Sequence, residues 1–487
     1  MRCLVRIGSY LGVSVLAVAA HAQTAAPVLS VALENAITQP GNLRLIRPLV
    51  LYISDWQGAA PRARAWTNTG AATAEITRLP GSPDHWNAAV RYTVVEAAGA
   101  QPQTGELTVR LTLHGATVLG SFQGRYRDLQ VRGTAQSGLA WDLNSGLDGA
   151  GLLWLADPAR PVRAVLIWGP GVGQGGKPAA LREDLQAFAA ANNVALIGMD
   201  GPVDQTLKGL CRMSGHAELE RVPLLLTGHS AGGQLAYEFN AAHPERVIAF
   251  TVNKGGVYST WQASAAAGAN PAVLCAGETD LAGRIAAIQR LFDGNRPGGA
   301  FWSLEIEEGE GHSFDRSVPL FLLHFQHALD ERLPDGASEI RPVDPKRAWY
   351  ADNATWKDGI TRIFPAAGFK GDATHLSWLL DAGVAYAYRG VATYGNPLVV
   401  VRTAGHGIQY FAGEPVVLEC ADFGEGEWRS VALYDGATRI AAISRGKPRV
   451  TLQQQKPGAH AGVLVGERPD GSLRTSWPVA WIVRPAL

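Results

Sequence analysis

Cysteine is nearly absent from this chain. Four occur in 487 residues, at Cys3, Cys211, Cys275 and Cys420, with no Cys-x-x-Cys pair. The chain therefore lacks the ligand spacing of a structural zinc site and the density of a disulfide scaffold. Charge is sparse as well, at 18% of residues, and 43 Lys and Arg cancel 43 Asp and Glu. That balance excludes a nucleic-acid binder working through a basic footprint, since neutralising phosphates needs concentrated cations. Beyond the N-terminal segment no run of about 20 apolar residues occurs, so no helical membrane span is expected. The 56 Gly and 28 Pro follow no fixed period, which excludes a collagen-like fibre. What is present is 47% hydrophobic residues, enough for sizeable cores, and 14 Trp. Those Trp suit either the interiors of β domains or stacking platforms.

At the start of the chain, Arg2 and Arg6 precede an apolar run over 7–19 and the small-x-small triplet Ala20-His21-Ala22. This pattern predicts a secretory signal peptide over 1–22, and with it a secreted or periplasmic protein. Cys3 would leave with the peptide. The remaining Cys211, Cys275 and Cys420 cannot all pair internally, and Cys275, inside the apolar run 271–276, is expected as a buried free thiol.

The rest divides by hydrophobic period. Residues 28–145 are expected to be a β-rich domain, a sandwich or small barrel, because 107–113 alternates apolar with polar and Gly115 follows as a turn. Over 146–333, short apolar runs alternate with amphipathic stretches. Strands are expected at 162–168, 194–199, 222–227, 247–253, 273–276 and 301–306. Helices are expected at 180–191, 206–219, 231–242, 281–292 and 318–333. Strands buried on both faces require a mostly parallel sheet covered by helices. Residues 152–156 should add an antiparallel strand at its edge. Pro334, Pro342 and Pro345 mark 334–395 as a linker and aromatic-rich connecting segment, and short strands between Gly/Pro turns make 396–487 an immunoglobulin-like β-sandwich.

The motif that carries chemistry is Gly228-His229-Ser230-Ala231-Gly232. Gly-x-Ser-x-Gly alone is a weak pattern, and the bland alternative is a glycine-rich turn with a capping serine. Its context is a strand before it and a helix opening at Ala231, the arrangement that exposes a nucleophilic serine on a sharp turn. Ser230 needs a base, because a hydroxyl is a poor nucleophile near neutrality. His312 follows the last strand and so reaches the same sheet edge. His229 shares the elbow, and its side chain is expected to diverge from Ser230. His324 and His327 are ordinary residues, since an i,i+3 spacing alone makes no metal site. Asp280, separated from the strand at 273–276 by three residues, is the expected orienting acid, with Glu278 as competitor and a helix-capping role as the bland alternative.

The order Ser230, Asp280, His312 resembles the α/β-hydrolase superfamily over about 150–333, and more narrowly secreted bacterial carbohydrate esterases and carboxylesterases. The resemblance implies an α/β fold, the α/β-hydrolase mostly parallel sheet, flanked by the N-terminal β-rich domain and the C-terminal immunoglobulin-like β-sandwich. It implies a Ser-His-Asp serine esterase with no cofactor and no metal. An oxyanion needs two backbone donors. Ala231 is one, and the second comes from Gly169, Gly171 or Val172, Pro170 having no N–H. The Gly169–Lys177 stretch fails as a phosphate-cradling loop, because Pro178 follows Lys177.

Candidate pocket residues are Trp168, the pair Asn253 and Lys254, and Tyr258 and Trp261 in the stretch 255–270. Short connections leave no room for a large helical cap, and an open cleft suits a bulky alcohol. The expected partner is therefore an acylated carbohydrate, acetyl or feruloyl on plant polysaccharide, or a small ester, with polysaccharide contact through the flanking β domains. A broad carboxylesterase, a polyester depolymerase and a serine peptidase are the enzymatic alternatives. A catalytically inactive carbohydrate-binding or surface protein is the other.

Overall fold

The computed structural model describes residues 28–33, 49–54, 61–67, 70–94, 103–114, 117–126, 129–144, 149–314, 316–402, 408–453 and 455–485. The expected signal peptide lies outside these residues. Among the described residues the first eight strands are β1 (Val28–Leu33), β2 (Leu49–Ser54), β3 (Arg62–Thr67), β4 (Gly70–Leu79), β5 (Ser82–Val94), β6 (Gln103–His114), β7 (Thr117–Tyr126) and β8 (Leu129–Asn144). They run in the order β3-β2-β1-β8-β7-β6-β5-β4 with every neighbour antiparallel. Leu107, Val109 and Leu111 are buried while Thr108 and Arg110 are exposed. That is the period of two read from the sequence, one face inward and one in water.

The long strand β8 carries this meander into the rest of the molecule. It pairs with β7 through its first half and with β9 (Ala150–Leu155) through its second. Then follow β10 (Ala164–Gly169), β11 (Val194–Met199), β12 (Leu224–Gly228), β13 (Val247–Asn253), β14 (Ala272–Gly277) and β15 (Trp302–Glu307), in the spatial order β9-β11-β10-β12-β13-β14-β15. From β11 to β15 all neighbours are parallel, and β9 alone is antiparallel. The strand expected at an edge is thus interior: β9 has β11 on one side and β8 on the other, so 28–144 and the mixed sheet form one fifteen-stranded sheet. They also share a core, in which Leu51, Ile53 and Trp86 join Val165, Ile167 and Leu226.

Every residue of β10 to β14 is buried, and helices cover both faces. They are α1 (Glu183–Asn192), α2 (Val203–Ser214), α3 (Ala231–Ala242), the four-residue α4 (Ala265–Gly268), α5 (Ala282–Asn295) and α6 (Val318–Arg332). The step from β10 out to β11 and back to β12 leaves the end of β12 at a reversal of strand order. Mixed sheet, covering helices and this order fit an α/β-hydrolase core.

Residues 345–395 do not form a linker. β16 (Trp349–Ala351), β17 (Ile363–Pro365) and β18 (Ser377–Leu379) make a small antiparallel sheet, and α7 (Ala382–Ala392) starts at Asp381, whose carboxylate accepts from Val384 N–H. Trp378, Leu380, Val384 and Tyr388 sit in one core with α1 and α6. Ser377 and Tyr388 tie this segment to Leu304 on β15, and Arg296 donates to Leu376 O at 2.8 Å. The prolines punctuate a packed segment.

The C-terminal strands are β19 (Val399–Arg402), β20 (Gln409–Phe411), β21 (Val416–Asp422), β22 (Ser430–Asp435), β23 (Thr438–Ile443), β24 (Arg449–Leu452), β25 (Gly458–Glu467), β26 (Leu473–Thr475) and β27 (Val479–Arg484). They form two sheets, β19-β21-β24 and β20-β27-β25-β22-β23, with β26 on β25. Leu418, Leu433, Leu464 and Trp481 fill the core between them. Gln326 of α6 binds Asn192 of α1 and accepts Ala459 N–H at 2.9 Å, joining this unit to the helices.

Candidate active site

The buried strand β12 delivers the chain to its carboxyl edge, and two residues, His229 and Ser230, separate it from α3. Ser230 has φ 57° and ψ −116°, a costly backbone for a non-glycine residue that surroundings must enforce. Three missing side chains let them do so. A Cβ on Gly228 would lie 2.6 Å from Gly169 O, one on Gly169 would lie 2.7 Å from Gly232 Cα, and one on Gly232 would overlap the Gly169 backbone. The ends of β10 and β12 and the first turn of α3 are therefore in direct backbone contact. Ser230 N–H donates to Asn253 O at 2.8 Å and His229 N–H to Gly169 O at 3.2 Å, while Ser230 O accepts from Gly233 and Gln234.

The loops after β14 and β15 are joined to each other. Glu278 N–H donates to Glu307 O at 3.0 Å, and Thr279 N–H to Glu310 O at 2.8 Å. The Glu278 carboxylate accepts Gly309 N–H at 2.9 Å and faces Lys357. It is thus engaged in holding the loop, while Asp280 meets His312: Nδ1 lies 2.7 Å from Asp280 Oδ2. The other oxygen, Oδ1, accepts from Leu281 N–H at 2.7 Å and from the Arg284 guanidinium at 3.0 Å. Burial raises the Asp280 carboxyl, but these hydrogen bonds and the His312 ring outweigh it and hold it below the usual carboxylate range. Asp280 is therefore an ionised acceptor, and His312 Nδ1–H is the donor. That leaves Nε2 as the free basic nitrogen. It is buried and without a hydrogen-bond partner, so no bond to Ser230 Oγ is closed in this structure. Such bonds are often long before substrate binds.

His229, the neighbour of Ser230 in the elbow, is packed on the base. Its ring lies 4.5 Å from that of His312, with Nε2 buried and unpaired. Burial, followed by the charges of His312 and Lys254, lowers its pKa to about 4, so it is a neutral neighbour. Ala231 opens α3, where the first-turn N–H groups have no intrahelical acceptor. Of the other oxyanion candidates, Gly171 is buried beside His229 Nδ1, Gly169 is packed on Gly232, and Val172 is 88% exposed.

The pocket candidates are placed unevenly. Trp168 is 8% exposed and its ring lies 4.0 Å from Phe314, with Arg182 over both rings. Trp261 is partly exposed. Tyr258 turns into the core, its ring 5.1 Å from Tyr237. Asn253 and Lys254 are 0% exposed, so Lys254 is not a rim contact. Instead its ammonium pairs with Glu307, donates to Asn253 Oδ1 at 3.2 Å and lies 3.7 Å from Cys275 Sγ. Cys275, Glu305 and Glu307 bring donor atoms within 4.8 Å of one another, and Lys254 supplies the cation beside them. Ser317 Oγ lies 2.6 Å from Glu305 Oε1 and also touches Glu307 Oε1. One hydroxyl has one proton for two carboxylates, so a second proton must reside there. Glu305 holds it: burial and then the Glu307 charge push its pKa to about 8.

This buried proton has a measurable consequence. Between about pH 4.5 and 8 the folded chain keeps a proton on Glu305 that the unfolded chain releases. The contribution is complete below 4.5 and is lost as pH rises through 8. Unfolding free energy from urea titrations should therefore include a fall of about 1.4 kcal/mol per pH unit in that window. Glu305→Gln should remove this component. Equal slopes in parent and variant would place the proton elsewhere.

Sequence reasoning nominated Lys254 as a pocket contact but missed its buried pairing with Glu307, and it missed Arg284. The latter left a signal, an Arg four residues after Asp280 on the first turn of a helix.

No protein-family model and no curated protein matches the chain. Among solved structures it is similar to SOBER1 of Arabidopsis thaliana, at 18% identity, covering 32% of this chain and 92% of that one with a TM-score of 0.24. It is also similar to Thermogutta terrifontis esterase 2 phosphorylated by paraoxon (17%, 36% and 84%, TM-score 0.27). A third is the phospholipase/carboxylesterase from Dyadobacter fermentans (17%, 35% and 92%, TM-score 0.25). Scores this low carry no argument for activity.

Proposed function

We propose that the chain is a serine carboxylic-ester hydrolase in which Ser230, His312 and Asp280 act together. The observation that carries this is the hydrogen-bonded imidazole: Asp280 fixes the Nδ1–H tautomer at 2.7 Å, which leaves a buried Nε2 with a free lone pair at the sheet edge where the strained Ser230 turn stands. Ser230 Oγ attacks the ester carbonyl as His312 Nε2 takes its proton. The same proton passes to the leaving alcohol, and His312 then activates water to release the acid. Ala231 N–H and a donor of the 169–172 loop, with Gly171 favoured by its place beside His229, stabilise the oxyanion.

The substrate we infer is an acetyl or feruloyl ester on plant polysaccharide, met by an exported protein. Among the described residues the stretch between β13 and β14 holds only the four-residue α4, so no long helical lid encloses the site there and a bulky alcohol has access. The sheet orders β19-β21-β24 and β20-β27-β25-β22-β23 support reading the C-terminal unit as an immunoglobulin-like sandwich. The test is a panel of p-nitrophenyl acetate, a feruloyl ester and acetylated xylan. Release of acetate or ferulate from the polysaccharide is expected. Turnover of small esters alone would leave the broad carboxylesterase, and no turnover would leave a catalytically inactive binding protein.

A further inference from the structure

Asn253 and Lys254, at the end of β13, touch all three segments that carry the proposed triad. Asn253 O accepts the Ser230 N–H at 2.8 Å. Asn253 Nδ2 donates at 3.3 Å to the carbonyl of Phe314, two residues beyond His312. Lys254 N–H donates to Cys275 O on β14 at 2.8 Å, and its side chain then runs beneath the acid loop. A Cβ on Gly277 would lie 2.9 Å from Lys254 Cε and 2.7 Å from Glu310 O. The ammonium ends on Glu307, the residue from which the His312 loop departs, and on Asn253 Oδ1. Lys254 also has φ 53°, a left-handed backbone that must be enforced in a non-glycine residue.

We propose that Asn253 and Lys254 are positioning residues that fix the elbow, the acid loop and the base loop relative to one another, with the Lys254–Glu307 ion pair as the closing link. The role rests on the triad assigned above. Stability alone does not explain a buried pair, since apolar side chains of equal volume hold a fold as well or better. Apolar chains lack direction, however. The ammonium binds two chosen acceptors at once and so sets where Glu307 and Asn253 stand. A displacement of about 1 Å in such a constellation costs about 100-fold in rate.

The test compares the parent with Lys254→Met/Glu307→Gln, which removes both charges and keeps the volume, and with Asn253→Ala. Two readouts separate positioning from stability. One is the split of kcat from KM on p-nitrophenyl acetate. The other is the solvent exchange of the low-field His312 Nδ1 proton, assigned by its loss in His312→Gln. In the double variant kcat should fall about 10- to 100-fold, KM should stay within about twofold, and the melting temperature within about 5 °C. The Nδ1 proton should exchange about tenfold faster. A folded double variant with parental kcat and exchange overturns the proposal. If the double variant does not fold, Asn253→Ala decides by the same two readouts, and parental values there overturn it. If the parent turns over no ester, exchange alone judges the positioning role, and the esterase reading fails separately.

Discussion

Replacing Ser230 with alanine should abolish hydrolysis of p-nitrophenyl acetate, with kcat falling about 10⁶-fold. The size follows from the role: without the hydroxyl no acyl-enzyme forms, and the oxyanion donors are left to assist direct attack by water. The fold should survive the change. Ser230 makes no side-chain capping bond to α3, and the contacts that hold the turn come from the backbones of Gly169, Gly228, Gly232 and Asn253. Circular dichroism and the melting temperature should match the parent, and a fluorophosphonate that labels the parent should leave the variant unmodified. Retained activity would point to another nucleophile. Ser313 is the nearest in sequence to His312, but its hydroxyl already donates to Glu310 at 2.7 Å. Activity in Ser230→Ala would therefore overturn the assignment of Ser230 as the nucleophile.

The parts of the molecule that could be read from sequence are those whose cause is local. The strands at 194–199 and 247–253 and the helix at 231–242 coincide with the expected spans, because burial on both faces leaves an unbroken apolar run and the elbow fixes the start of α3. The elbow could be read because close approach of three backbones demands glycine at fixed spacing. Asp280 and His312 could be nominated because both follow parallel strands and so reach one edge. What could not be read depends on partners distant in sequence. Alternation in 107–113 tells which face is buried but not that β8 continues into β9. The three-residue strands β16 to β18 are too short to display any period, so Pro334, Pro342 and Pro345 dominate the impression of a linker. Lys254 is the sharpest case. A lysine after a strand belongs in water unless something pairs with it, and its partner Glu307 is 53 residues away. The buried glutamates of β15 gave the complementary signal, two acids at i and i+2 within a strand whose other residues, Ser303 apart, are apolar, and only together do the two anomalies account for each other.

Asp280→Asn should lower kcat by about 10⁴-fold with little change in KM, and the reason is the direction in which the new amide is held. In the parent, Oδ1 accepts from Leu281 N–H and Arg284, while Oδ2 faces His312 Nδ1. Two donors at the Oδ1 position require an acceptor there, so the asparagine oxygen must take it and the NH₂ group must take the place of Oδ2. That group can only donate. His312 Nδ1 is then forced to accept, its proton moves to Nε2, and the nitrogen facing Ser230 becomes a donor that cannot remove the hydroxyl proton. The imidazole stays in place, so substrate binding is unaffected, and raising the pH does not restore the lost tautomer. Nitrogen NMR of labelled histidine should find the proton on Nε2 in the variant and on Nδ1 in the parent. Leu281 N–H, at 2.7 Å from Oδ1, holds the amide in that orientation even without Arg284, so Asp280→Asn/Arg284→Met should show the same tautomer and no recovery of activity over the single variant. An unchanged tautomer in Asp280→Asn, or a loss confined to KM, would show that Asp280 does not orient the base.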